Sequence, residues 1–321
     1  MDTVQDQGRY HWQHLGINPT GAMDRLSAQL ANILVGNDPG EPVIELHFPA
    51  GEYFFELPAL IAVTGADFAA HVNGEPIGNM HPVLLSKYSI LQFPSLVDGA
   101  RAYVAIHGGF AIEPWLGAYS THLRAGAGGF NGRILHKDDE IPMRIKRDLC
   151  PLIGKKEFHV LPWSADDKAL YTDCEEIFVL PGREWDRLKQ ESKDIFTNKA
   201  FTISPQSDRM GYRLKGPPLS VHIKDELLST AVNFGTIQLL PDGQLIVLMA
   251  DHQSTGGYPR LAHVISAHQA RLAQLKAGNP VKFKFTDQAT AEELLVKQQQ
   301  QLIQLQTACR FRLDNFLNAP D

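Results

Sequence analysis

The sequence predicts a mainly β fold with a few helices, built as a sandwich or a barrel. Three observations point there. Short β-rich runs recur: "ALIAVTGADF" (59–68), "ARAYVAIHGGF" (100–110), "EIFVLPG" (176–182) and the strictly alternating "VKFKFTD" (281–287). Two hairpins are signalled by their turns, Asn73-Gly74 in "HVNGEPI" (71–77) and Asp242-Gly243 in "QLLPDGQLIVLMAD" (238–251), because these pairs accept positive φ. Helical periodicity is confined to three stretches.

The first helix is expected in "AMDRLSAQLANILVGN". There Leu26, Leu30, Ile33 and Leu34 share a face, Asp24 caps the start and Gly36 ends it. The second is expected in "YPRLAHVISAHQARLAQLKAG", with Pro259 at the first turn and Gly278 closing. Leu261, Val264, Ile265, Leu272 and Leu275 would form its buried stripe. The third starts near Thr290, which pairs with Glu293 as a capping box, and runs through "ELLVKQQQQLIQLQTACRF". The first two each begin with Arg-Leu and end in Gly-Asn, a pattern that fits duplication of one barrel. The charged, strand-poor stretch 143–160 is the expected boundary.

A chain of 321 residues is long enough for two domains. Hydrophobic residues at 44% and charged residues at 21% give an ordinary globular balance. A net charge of −6 argues against nucleic acid as the main partner. Cys150, Cys174 and Cys309 lie far apart with no C-x-x-C, so neither a zinc site nor a disulfide framework is indicated. The N-terminus "MDTVQDQGRY" is polar and no apolar run is long enough to span a bilayer, so a cytoplasmic protein is expected. His11 and His14 lack an acidic companion, and no metal is expected. No Walker A motif, strand-G-x-G-x-x-G-helix, H-E-x-x-H or G-x-S-x-G occurs.

Four polar constellations carry chemistry. "GINPTGAMDR" (16–25) presents a helix N-terminus with Asp24, which suits an anion-bearing ligand and reads equally as a plain cap. "YSTHLRAGAGGFNGR" (119–133) joins Arg124 to Gly126, Gly128 and Gly129 as an anion-binding nest, or as a multi-turn connection. In "SPQSDRMGYRLKGPPL" (204–219), Arg209 and Arg213 offer forks for a substrate carboxylate and Asp208 a base, or Asp208 and Arg209 pair on the surface. "DHQSTGGYPR" (251–260) is denser than a helix cap requires. Asp251 is a candidate base, Gln253 and Thr255 candidate donors to an oxyanion, and Gly256, Gly257 and Tyr258 a wall against a ligand.

These motifs, together with "TVQDQGR" (3–9), "AN-x-LVGND" (31–38), "TGADF" (64–68) and "AQLKAGN", occur in one order. The chain resembles the biotin-dependent carboxyltransferase-like family, also called allophanate hydrolase subunit 2, over about residues 3 to 287. That family includes the C-type subunits of bacterial ATP-dependent 5-oxoprolinase and part of the carboxyltransferase region of urea carboxylase. The resemblance implies two tandem cyclophilin-like β-barrel domains, 1–148 and 149–288, followed by a C-terminal helical extension, 289–321. It implies opening of the lactam of 5-oxoproline to L-glutamate together with subunits A and B, with ATP bound by this chain or by a partner. Under it, Arg209 or Arg213 binds the substrate carboxylate, with Asp24, Gly256, Gly257 and Tyr258 beside it. Gln253, Thr255 and the glycine amides serve the oxyanion, Asp208 or Asp251 is the base, and Arg124 with Gly126, Gly128 and Gly129 holds phosphate. Two alternatives stay open: carboxyl transfer from carboxybiotin to urea or another amide, and a non-catalytic role binding a partner of the kinase-inhibitor type. His268, where the family more often has Asp, and the glutamine-rich tail depart from the pattern.

Overall fold

The computed structural model describes residues 1–144, 148–166, 170–171, 175–222 and 226–318. The chain divides into two compact units. The first comprises Met1–Gly8, Asp24–Asp167 and Gln299–Asp321, the second Arg9–Met23 and Lys168–Gln298.

Among the described residues the first unit holds ten strands: β1 (Thr3–Gln5), β2 (Val43–His47), β3 (Tyr53–Phe55), β4 (Ala59–Asp67), β5 (His71–Val72), β6 (Glu75–Pro76), β7 (Pro82–Leu85), β8 (Ser89–Gln92), β9 (Asp98–Ile106) and β10 (Phe158–Val160). They form a six-stranded sheet in the order β1-β2-β9-β4-β7-β10 and a four-stranded sheet in the order β3-β8-β5-β6. Ile61, Val63, Phe68, Leu85 and Val104 lie in its core. Helix α1 (Arg25–Leu34) packs on β4 and β9 and buries Leu26, Leu30, Ile33 and Leu34, the predicted face. The Asn73-Gly74 turn carries φ of 51° and 86° and joins β5 to β6, as its sequence requires. A short helix, α2 (Cys150–Ile153), precedes β10.

The second unit holds β11 (Ile177–Pro181), β12 (Phe201–Ile203), β13 (Gly211–Lys215), β14 (Thr230–Ala231), β15 (Thr236–Leu239), β16 (Leu245–Leu248), β17 (Thr255–Gly256), β18 (Arg260–Val264), β19 (Pro280–Val281) and β20 (Phe283–Phe285). Eight of them form one sheet, β19-β12-β13-β16-β15-β18-β11-β20, and β14 pairs with β17 separately. The two edge strands, β19 and β20, are separated in sequence by Lys282 alone, so the sheet nearly closes on itself. Ile237, Leu239, Val247, Leu261, Phe196 and Phe283 fill it. Helices α3 (Gln190–Asn198), α4 (Ser266–Ala273) and α5 (Gln288–Leu317) complete the α-helices of the described residues.

The fold class is as the sequence predicts, mainly β in two tandem units with a C-terminal helix. Three expectations need correction. Residues 260–264 are strand, not helix. Leu261 and Ala262 lie in the barrel core while the backbone pairs with β15 and β11, and only Ser266–Ala273 is helical. Asp287, not Thr290, caps α5, its carboxylate accepting the Thr290 N–H at 2.8 Å. The division is not linear. Phe158–Val160 pairs with β7 in the first unit, beyond the expected boundary at 148, and Arg9–Met23 belongs to the second. Helix α5 is grouped with the second unit up to Gln298 and with the first from Gln299.

Close backbone approach dictates one glycine of the second barrel. A Cβ on Gly182 would overlap the Arg260 carbonyl oxygen and sit 2.8 Å from two backbone carbonyl carbons. Backbone cannot swing aside as a side chain can. Gly182→Ala is therefore expected to cost about 3 kcal/mol, at the upper end for overpacking. Urea unfolding checks this, and a loss below about 0.5 kcal/mol would show that β18 yields.

Candidate functional site

The site in the second unit follows from strand direction. Gly211, which opens β13, sits opposite Leu248, which ends β16. The turn before β13 and the loop after β16 therefore emerge side by side, and these are "SPQSDRM" and "DHQSTGGYPR". The chain then enters β18 at Arg260, opposite Gln238, at the other end of the sheet. Residues 252–259 thus run across the outer face of β15.

Arg209 and Asp251 meet where the two stretches emerge. Arg209 Nε donates to Asp251 Oδ2 at 2.9 Å and Nη2 to Oδ1 at 3.1 Å. The side chains are 11% and 13% exposed. Arg209 Nη2 also donates to the Gly21 carbonyl at 2.6 Å, and Asn18 Nδ2 to the Asp251 carbonyl at 2.9 Å. The pair braces the Arg9–Met23 segment against both loops. This redirects two assignments. The Arg209 fork already holds a carboxylate, and both Asp251 oxygens are engaged, so neither suits substrate binding or proton abstraction.

Asp208 is exposed, and its Oδ1 accepts the N–H groups of Met210 at 2.8 Å and Gly211 at 3.2 Å. It makes no ion pair with Arg209, its neighbour in sequence. Its Oδ2 has no hydrogen-bond partner among the described residues. Arg213 lies on the exposed side of β13. Thr255 is exposed on β17, paired with Ala231 of β14, and Tyr258 is 44% exposed. Gln253 is half-buried.

The remaining predicted residues lie in the first unit. Asp24 is fully buried and caps α1, accepting the Ser27 N–H at 2.9 Å and hydroxyl at 2.7 Å. Its carboxylate is used within the fold, which corrects its assignment to substrate. In the glycine loop, Gly126, Gly128 and Gly129 all have positive φ. The amides of Ala125, Gly126, Ala127 and Gly132 donate to carbonyls of the same loop. Gly126 thus spends its amide on a turn of the loop, whereas the successive amides of Gly128 and Gly129 make no such bond among the described residues. Arg124 is exposed beside it, and Arg133 is held by Asp139 at 2.6 and 2.7 Å.

Sequence reasoning missed a polar layer under residues 252–259. Gln238 is fully buried on β15, and its Nε2 donates to the Tyr258 carbonyl at 3.4 Å. Arg260 forms a bidentate pair with Glu184, 3.0 Å from each oxygen. Thr236 Oγ1 meets His263 Nδ1 at 3.2 Å. Burial, with the Arg260 charge second, holds the His263 imidazole below its ordinary value. The motif "GTIQLLPDGQ" contains Gln238, but a strand glutamine reads as solvent-facing until the crossing segment is known.

Among the described residues no group of three or more His, Cys, Asp or Glu side chains is placed to hold a metal, and no helix is long and apolar enough to cross a membrane. Cys150 is exposed and Cys309 buried, both unpaired thiols, and Cys174 lies outside the described residues.

Residues 15–285 match the family model described as carboxyltransferase domain, subdomain A and B. The C-type subunit of 5-oxoprolinase from Escherichia coli (strain K12) is 37% identical over 317 residues, 98% of this chain and 96% of that protein. Its namesake from Haemophilus influenzae is 34% identical, covering 94% of each. Urea amidolyase of Saccharomyces cerevisiae is 28% identical over 88% of this chain but only 16% of its own length. Among solved structures, the urea amidolyase of K. lactis aligns with a TM-score of 0.85 at 27% identity, covering 95% of this chain and 19% of that one.

Proposed function

Because the chain belongs to the carboxyltransferase-domain family, subdomains A and B, we propose that it is one subunit of a cytoplasmic, ATP-dependent 5-oxoprolinase. This enzyme would open the lactam of 5-oxoproline to L-glutamate, with A-type and B-type subunits completing it. One observation carries the reading. The identity with the C-type subunit of the E. coli 5-oxoprolinase is 37% and runs nearly end to end in both proteins.

A lactam is a resonance-stabilised amide, and ATP supplies the drive by phosphorylating its oxygen. Water adds at the activated carbon, the ring C–N bond breaks as nitrogen takes a proton, and a second water hydrolyses the acyl phosphate to L-glutamate and phosphate. The chain has no Walker A motif, so the nucleotide site is assigned to a partner subunit. This chain's part is to bind the carboxylate, stabilise the oxyanion and handle a proton. Arg213 takes the carboxylate, because the Arg209 fork is filled. The Thr255 hydroxyl, the Gly257 N–H and the Gln253 side-chain amide donate to the oxyanion; none of the three has a hydrogen-bond partner among the described residues. Asp208, through its open oxygen, takes the proton of the attacking water.

The test co-expresses this chain with A-type and B-type subunits and measures glutamate formed from 5-oxoproline. Activity is expected to require ATP and this chain, and to fall about a hundredfold in Thr255→Ala, the loss typical of one oxyanion donor. The TM-score of 0.85 with urea amidolyase favours a second reading, carboxyl transfer from carboxybiotin to urea or a related amide. An assembled complex that forms no glutamate but moves the carboxyl group of carboxybiotin onto urea, leaving free biotin and carboxylated urea, would establish that reading instead.

A further inference from the structure

Ile237 and Leu239 point into the core of the second barrel, so Gln238 between them points outward. The pairing of β15 with β18 shifts register at this position. An outward glutamine ordinarily meets water, yet Gln238 is 0% exposed. The crossing segment covers it. Gly256 lies directly over the side chain, with Gln238 Nε2 only 2.7 Å from where a Cβ on Gly256 would stand. Further along the same segment, Nε2 reaches the Tyr258 carbonyl at 3.4 Å. Gln238 Oε1 is buried with no hydrogen-bond partner among the described residues.

A buried acceptor left unmet destabilises a fold relative to an apolar side chain of the same shape. Methionine has the length of glutamine and packs well in irregular space. The fold alone therefore gives no reason for an amide here. The ribbon β14–β17 does. Its β14 strand is held from below by Arg260, whose Nη1 donates to the Ala231 carbonyl at 3.5 Å while Glu184 fixes the guanidinium. Gln238, Arg260's partner across the β15–β18 pair, supports the other side.

We propose that Gln238 is a positioning residue. Its buried amide fixes the backbone of Gly256–Tyr258, so that the Thr255 hydroxyl and Gly257 N–H stand ready for substrate. The catalytic part of this statement rests on the site assigned above, and the positioning part does not. Gln238 touches no substrate itself. It sets a wall that does.

The test substitutes Gln238→Met in the full chain. Melting temperature is expected to equal or exceed that of the unsubstituted protein. Amide hydrogen exchange in residues 255–258 is expected to rise at least tenfold while β15 and β18 keep their protection. Gly256→Ala, which drives the wall off an intact Gln238, should give the same local signature. In the assembled enzyme, Gln238→Met should lower kcat about tenfold and leave KM within twofold. Unchanged exchange at 255–258 overturns the proposal. So does a lowered melting temperature with faster exchange across the whole of β15 and β18, which would make the amide ordinary core. Unchanged kcat in an active complex overturns its catalytic part. Exchange and melting need no substrate, so an inactive unsubstituted complex would sink the 5-oxoprolinase reading while positioning is still decided.

Discussion

Acidification from pH 7 to pH 4 is expected to remove about 3 kcal/mol more stability from this protein than from its His268→Phe variant. His268 is 1% exposed on α4 and stacks on Phe178, ring centroids 4.7 Å apart. Its Nδ1 accepts the Phe178 N–H at 3.0 Å, which places the ring proton on Nε2. A second proton would have to go on Nδ1, setting one N–H against another. Burial first, and the Arg271 charge second, lower the imidazole from 6.5 to about 4. The unfolded chain therefore binds a proton that the folded chain refuses. The contribution is fully present above pH 6.5, is lost as pH falls from 6.5 towards 4, and levels off below that. Phenylalanine keeps the ring stack and deletes the titration. Its absolute stability will be lower, because the Phe178 N–H loses its acceptor, but its pH dependence in this window should be flatter. Urea unfolding at pH 7, 5.5 and 4 reads the difference. Parallel profiles for the two proteins would remove His268 as the cause.

Arg209→Ala is expected to destabilise the protein by about 3 kcal/mol, because it leaves the largely buried Asp251 carboxylate and the Gly21 carbonyl without their donor. Asp251→Ala should cost a similar amount by removing the carboxylate that the largely buried Arg209 guanidinium faces. The double variant Arg209→Met/Asp251→Leu should recover most of the loss, since an apolar pair of similar volume has no charge to desolvate. With the single variants Arg209→Met and Asp251→Leu, the double variant and the unsubstituted protein form a thermodynamic cycle, and a strong coupling energy is the expected outcome. Single losses below about 1 kcal/mol would class the pair with exposed ion pairs. Glutamate formation by the double variant separates brace from reagent: a braced site retains activity when stability returns, and a site using either charge directly does not.

Local chemistry was legible in the sequence. The Asn73-Gly74 turn and the amphipathic face of α1 depend on residues a few positions apart, and both stand where they were expected. The 260–264 stretch was not legible. Leu261, Val264 and Ile265 repeat at three and four positions, which reads as a helix, and only pairing with β15 and β11, distant in sequence, makes the stretch a strand. The candidate site divides in the same way. The composition of "SDRMGYR" and "DHQSTGGYPR" marked two walls. Sequence could not reveal that Arg209 and Asp251, 42 positions apart, would neutralise each other. Nor could it show that residues 252–259 would cross β15 and bury Gln238. Asp24 illustrates a remaining ambiguity, since a cap and an anion ligand use the same residue types, and only burial separates them.

The Arg9–Met23 segment is synthesised almost first, yet the groups that receive it arrive late. Asn18 is 233 residues from Asp251, and Gly21 is 188 residues from Arg209. At about 5–20 residues per second, the ribosome needs roughly 10–50 s to supply the second partner after the first. Throughout that interval the segment has left the exit tunnel without its seat. A gene fragment starting at residue 149 would never encode it. Such a fragment should behave like an enzyme half that awaits complementation, and a synthetic peptide covering residues 9–23 is the piece that should restore it.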